Sequence, residues 1–151
     1  MNLLNVRPEF STVSPYLIFR DAAKALAFYT SVMGAEEISC QRDDQGNVRH
    51  AEFRIGNSTF MMTSETPDFP DMRGVETVGG SPVHLFIYMS EVDAYFARVV
   101  AAGASITMPV AEQSYGRGGG FRDPFGLTWW VSTHRDRATS DGDNKAAHRG
   151  N

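Results

Sequence analysis

Two stretches decide the fold: residues 14–35, SPYLIFRDAAKALAFYTSVMGA, and residues 84–104, HLFIYMSEVDAYFARVVAAGA. Each runs from a short apolar strand through an acidic residue and an Ala-rich, aromatic-bearing helix to a closing Gly-Ala. Asp21 matches Glu91 at an offset of 70, and Gly34 matches Gly103 at 69. Self-similarity of this kind marks a structural unit used twice. The helices carry ordinary boundary chemistry. Asp21 is suited to cap the first, Ser90 with Asp93 the second, and Gly34 and Gly103 stand where a left-handed residue ends a helix. Leu26, Phe28, Tyr29, Val32 and Met33 supply one buried face, and Val92, Phe96, Val99 and Val100 the other.

The sequence that follows each stretch is also alike. HAEFRI and STFMMTSE flank Gly56-Asn57, a two-residue hairpin signal. In GGFRDPFGLTWWVSTH the turn is Asp123-Pro124-Phe125-Gly126, a local constraint in which Arg122 and Asp123 take part, and LTWWVST is the strand after it. Gly56 and Gly126 differ by 70. The order is therefore βαβββ twice, over about 11–65 and 81–134, with a connector at 66–80. The expected fold is α+β: one domain over 1–134, its two modules forming a pair of curved mixed sheets around a cleft. From 135 to 151 apolar periodicity is lost, which predicts a mobile tail.

Composition bounds the function. The 151 residues suffice for one core, and 42% hydrophobic with 21% charged residues excludes a disordered or fibrous chain. Fourteen basic against 18 acidic residues leave a net charge of -4, with no basic excess to engage nucleic acid. Twelve of the basic residues are Arg, a ratio that suits anion recognition and that codon bias also produces. A lone Cys40 excludes an internal disulfide and fits the cytoplasm. Neither a signal peptide nor a membrane span is expected.

The repeat, FRDAAKALAFY, RHAEFRIG and YGRGGGFRDPFGLTWWVSTH together resemble the vicinal oxygen chelate superfamily, which includes glyoxalases, bleomycin-resistance proteins, fosfomycin-resistance enzymes and extradiol dioxygenases. The likeness is greatest to its PhnB-like branch and covers roughly residues 10–134. It implies a homodimer and a small-molecule ligand. It also implies a divalent metal held by a His on each half's first strand and a Glu on each half's last strand, with an open position for chemistry.

Only one of those four positions is matched, by His84. Ser14 (or Pro15, one residue on) stands at the first-half counterpart, and Phe60 and Trp130 stand at the last-strand positions. The expectation is thus no cofactor, with a divalent metal as the alternative and no metal ligand set assigned. His84 is read as a hydrogen-bonding or proton-moving group of the cleft. His134 is four residues beyond Trp130 and so on its side of the strand, whereas His50, opposite Thr63, is expected to face away from the cleft. Glu52, Glu65 and Glu112 have no evident point of convergence.

Alternation fixes the expected cleft lining: Tyr16 and Ile18, Phe60 and Met62, His84, Phe86 and Tyr88, Trp130 and Ser132. The same pattern also suits side chains that merely pack together. The stretch 115–120, YGRGGG, is expected to act as a mobile flap or a plain connection, with Arg117 available to an anionic group. Phe69 and Met72 of the connector are candidates for a second rim. This aromatic, Met-rich set points to a protein that binds an aromatic or apolar organic molecule, for sequestration of a drug or metabolite. The alternatives are a metal-dependent lyase, isomerase or dioxygenase built on His84 with partners such as His50, His134 or Glu65, and a regulatory module with a filled cleft.

Overall fold

The structure, a computed structural model, describes residues 3–136. All but the first two residues of the expected tail lie outside that range. The first module contains β1 (Tyr16–Phe19), α1 (Ala22–Ser31), β2 (Glu36–Arg42), β3 (Val48–Ile55) and β4 (Ser58–Ser64). The second contains β5 (Leu85–Tyr88), α3 (Val92–Ala101), β6 (Ser105–Gln113), β7 (Gly116–Arg122) and β8 (Thr128–Ser132). A short helix, α2 (Val75–Val78), lies in the connector. No helix among the described residues is long and apolar enough to cross a membrane.

Each module is a four-stranded mixed sheet, ordered β1-β4-β3-β2 and β5-β8-β7-β6. The first strand pairs parallel to the last, and the other pairings are antiparallel. A parallel neighbour needs a crossover, and the helix supplies it. Asp21 caps α1 by accepting the Lys24 amide at 3.2 Å. Glu91 occupies the equivalent place before α3 but makes no capping bond. Gly34 and Gly103 have φ of 76° and 112°, a conformation that favours glycine and lets the chain leave each helix.

The helices cover one face of each sheet. Phe19, Ala51, Phe53 and Met62 meet Ala22, Leu26 and Tyr29, while Phe121, Trp129 and Val131 meet Val92, Phe96 and Val99. The two halves share this core. Tyr29 of α1 lies 5.6 Å from Trp129 of β8, ring centre to ring centre, and Tyr95 of α3 donates to the Met33 carbonyl at 3.1 Å.

The register corrects two residues of the expected cleft lining, Phe60 and Met62. Tyr16 pairs with Met61 and Ile18 with Thr63, so these four share the open face. Phe60 and Met62 point to the helix side, where Met62 is fully buried and Phe60 stacks on Phe53 at 4.8 Å. The error lies in equating Gly56 with Gly126. Gly56 begins a two-residue loop between paired Ile55 and Ser58, whereas Gly126 is late in the longer loop between Arg122 and Thr128. Since Phe86 pairs with Trp130 as Tyr16 pairs with Met61, Met61 is the true counterpart of Trp130.

The glycine-rich stretch is also corrected. Gly116–Arg122 is an inner strand, β7, held between β6 and β8. Gly118, Gly119 and Gly120 are buried there because a Cβ at any of them would come within 2.8 Å of a neighbouring strand's atom. They permit close packing, and a flap is not what they form.

Candidate functional site

With the helices on one side, the other face of each sheet is open. On the second module it presents His84 just before β5, Phe86 and Tyr88 on β5, and Trp130 on β8. Phe86 is 49% and Tyr88 68% exposed, large values for aromatics in regular strands. Their rings lie 4.9 Å apart. Gly118 and Gly120 pair with Ser132 and Trp130 across β7 and leave that part of the face without side chains. The Trp130 indole packs beside Gly120, where a Cβ would lie 3.0 Å from its ring.

Trp130 also sets the chemistry of His84. Its indole N–H donates to His84 Nδ1 at 3.0 Å. An indole nitrogen only donates, so Nδ1 is an acceptor and the neutral ring carries its proton on Nε2. Ser132 is on this face but buried, its hydroxyl donating to the Thr133 carbonyl at 2.7 Å. His134 stands edge-on to Tyr88 at 6.3 Å, and both line a hollow of about 410 Å³ with Phe86, Tyr115 and Arg135.

Two further pockets lie between the modules. One, of about 400 Å³, is bounded by Ser11, Val13, Ile55–Phe60 and β5, so Phe60 reaches it despite facing the helix side. The other, of about 620 Å³ and largely apolar, is lined by Tyr16, Leu17 and Ile18 with Val75, Val83, Leu85 and Leu127. Phe69 and Met72 border a separate hollow of about 500 Å³ with Arg20, Glu65 and Arg73.

Arg117 is not in the cleft. Its guanidinium donates to both carboxylate oxygens of Asp93, at 2.7 and 2.8 Å, in the first turn of α3. The pair holds the Arg117 pKa above and the Asp93 pKa below their ordinary values. A strand alternates its side chains, and the register that puts Gly118 on the open face puts Arg117 on the other.

The open face of the first module holds a cluster that the sequence did not reveal. His50 and Glu52 are two residues apart on β3, on the same face as Tyr16. His50 Nε2 lies 3.1 Å from Glu52 Oε1, and Tyr16 stacks on His50 at 6.0 Å. His50 thus faces the cleft side, contrary to the expectation built on Phe60. Arg7, 45 residues upstream, donates to both oxygens of buried Glu52, at 2.7 and 3.1 Å. The adjacency of His50 and Glu52 follows from strand alternation, but nothing in the sequence announces Arg7. Glu65 accepts the Gly74 amide at 2.7 Å and Glu112 pairs with Arg135 at 2.7 Å, so neither carboxylate turns into the cleft.

Arg7 and then His50 hold the Glu52 carboxyl below its ordinary value of 4.5, against the opposing effect of burial. A folded value below the unfolded one contributes stability above the unfolded pKa and loses it as pH falls through the folded pKa. Thermal unfolding of the protein and of Glu52→Gln, compared from about pH 6 down to about pH 3, is expected to show the advantage of the native carboxylate shrinking with acid.

The donor set does not fit a divalent metal. His84 has its Nδ1 engaged by Trp130, and its neighbours on the face are Phe86 and Trp130, while Tyr16 and Met61 stand at the matching places of the first module. Among the described residues no three His, Cys, Asp or Glu side chains come together as a metal site would need.

Comparisons with known proteins agree with this architecture. The family model for the Glyoxalase/Bleomycin resistance protein/Dioxygenase superfamily matches residues 12–131. A Mycobacterium bovis relative, the uncharacterized protein Mb0911c, is 33% identical over 129 residues, covering 83% of each chain. Among solved structures, a PhnB protein from Bacillus cereus superposes with a TM-score of 0.64 at 23% identity, over 82% of this chain and 99% of its own. TnmS3, an antibiotic binding protein from Streptomyces sp. CB03234, superposes at 0.58 with 20% identity, over 82% of this chain and 96% of its own.

Proposed function

We propose a binding function for this chain, which belongs to the Glyoxalase/Bleomycin resistance protein/Dioxygenase superfamily: it holds a small aromatic or apolar organic molecule, without a metal, and so sequesters a drug or metabolite. The observation that carries this reading is the aromatic row on the open face of β5 and β8, in which Phe86 and Tyr88 are exposed and Trp130 is half-buried. Apolar rings left in water on a regular sheet are costly to solubility and mark a surface used for contact. Planar ligands stack on such rings, and hollows of about 400 and 410 Å³ beside Phe86 and Tyr88 leave room for them. That TnmS3 of the same fold binds an antibiotic supports the reading. His84 Nε2, protonated and directed by Trp130, offers a single hydrogen bond to orient the ligand.

The test separates binding from folding. Phe86→Ala and Tyr88→Ala remove exposed rings, so each is expected to change unfolding stability by no more than about 0.5 kcal/mol. Each is also expected to weaken an aromatic ligand by about tenfold, read by calorimetric titration. Loss of stability instead of loss of binding would assign these rings to the core.

We further propose that the active form is a homodimer in which a second copy covers part of the open faces. Sedimentation is expected to give the mass of two chains.

A further inference from the structure

We propose that the N-terminal segment is a displaceable occupant of a cation-binding site, with Arg7 holding the place that the guanidinium, amidinium or ammonium group of a ligand takes. The proposal rests on the binding function above and names the class of its ligand.

Glu52 is 4% exposed and lies in the middle of a sheet face, where an unpaired carboxylate is costly. Its cation is supplied by residues 3–14, a stretch without helix or strand. That stretch is held by polar contacts more than by burial: Leu3 is 83% and Val13 85% exposed. Its ties to the sheet include the two-bond contact of Arg7 with Glu52 and a bond from the Thr59 hydroxyl to the Glu9 carbonyl at 2.6 Å. The Arg7 side chain itself is half exposed, whereas that of Glu52 is only 5% exposed. A site whose anion is fixed in a strand and whose cation rides on an irregular segment is built to exchange the cation.

The surroundings suit such an exchange. His50 bonds Glu52 from the side and Tyr16 stacks on His50, so the carboxylate is oriented before any ligand arrives. The same irregular segment, through Ser11 and Val13, walls the pocket of about 400 Å³ that Thr59, Phe86 and Tyr88 also line. Lifting the segment frees the Thr59 hydroxyl and joins Glu52 to that aromatic-walled space. A ligand with a cationic head on Glu52 and an aromatic body against β5 fills both, and the two-oxygen contact of Arg7 favours a planar, forked head.

Benzamidine and its neutral isostere benzamide, titrated into the full chain and followed by NMR, test the proposal. Benzamidine is expected to bind at least about tenfold more tightly than benzamide. Arg7→Gln removes the internal competitor and is expected to tighten benzamidine by about tenfold while leaving benzamide unchanged. Glu52→Gln, shown to be folded by circular dichroism, is expected to abolish the preference. Amide exchange of residues 3–14 is expected to speed up on addition of benzamidine. Equal binding of the two compounds, or weaker benzamidine binding by Arg7→Gln, overturns the proposal while leaving the aromatic-binding reading intact. Binding of neither compound at millimolar concentration overturns both.

Discussion

Replacing Asp123 by alanine is expected to destabilise the protein by about 3–5 kcal/mol. The sequence marks Asp123 as a turn residue, and it is one: it accepts the Phe125 amide at 2.9 Å and the Leu127 amide at 3.1 Å. It also accepts the Tyr29 hydroxyl at 2.6 Å and the Trp129 indole at 2.9 Å. Tyr29 comes from the first module and Trp129 from the second, and both are fully buried. One carboxylate therefore closes a turn and joins the two halves of the core. Burial raises its pKa above the ordinary 3.8, and these four donors pull the other way. Alanine would leave all four donors without their acceptor, each such loss in the interior costing about 1–3 kcal/mol before relaxation. Tyr29→Phe removes one donor and leaves three, so about 1 kcal/mol is expected. Urea unfolding of the two variants checks the ratio. A cost for Asp123→Ala as small as that for Tyr29→Phe would mean that the turn bonds and the indole bond count for nothing.

Gly118→Ala is expected to cost about 1–3 kcal/mol, the range for forcing atoms into a packed interior. A Cβ there would lie 2.6 Å from the Val131 carbonyl oxygen and 2.9 Å from Ser132 Cβ. Those atoms belong to the neighbouring strand, so no side-chain rotation relieves the clash and β7 must move away from β8. Gly120→Ala is a useful contrast. Its Cβ would meet the Thr107 hydroxyl at 2.8 Å and the Trp130 ring at 3.0 Å, both side-chain groups that can turn aside, the ring at the expense of the bond from its N–H to His84. Gly118→Ala is thus expected to lower the unfolding midpoint, and Gly120→Ala to act mainly on ligand affinity. Equal stability of Gly118→Ala and the native protein in thermal melts would contradict the packing described for β7.

How far the sequence discloses this protein depends on how far apart the cooperating residues lie. The duplicated βαβββ order is legible because strand, cap, helix and glycine recur locally at nearly constant spacing. The face of the second module is legible for the same reason: His84, Phe86 and Tyr88 alternate within one strand, and Trp130 falls beside them. The first module fails at a single step, the equation of Gly56 with Gly126, because loops of different length shift the last strand by one residue and turn every side chain over. That shift moved Phe60 and Met62 to the wrong face and hid His50 and Glu52. Arg117 misled differently. A guanidinium in a glycine-rich stretch suits an anion, but its anion is Asp93 on α3, a partner that only the tertiary fold brings near. The bonds of Arg7 and Tyr29 escape the sequence altogether, since their partners Glu52 and Asp123 stand 45 and 94 residues away.

The central claim is that the open face of β5 and β8 takes a planar organic ligand without a metal, and the two indole N–H signals test it directly. Trp130 is half-buried on that face and bonded to His84, while Trp129 is fully buried and bonded to Asp123. In a proton–nitrogen correlation spectrum, a panel of planar aromatic compounds at millimolar concentration is expected to shift the Trp130 indole signal and leave that of Trp129 in place. Stoichiometric Mn²⁺ is expected to leave both signals sharp. A Trp130 signal unmoved by every compound of the panel, or broadened by Mn²⁺ at one equivalent, would contradict the account.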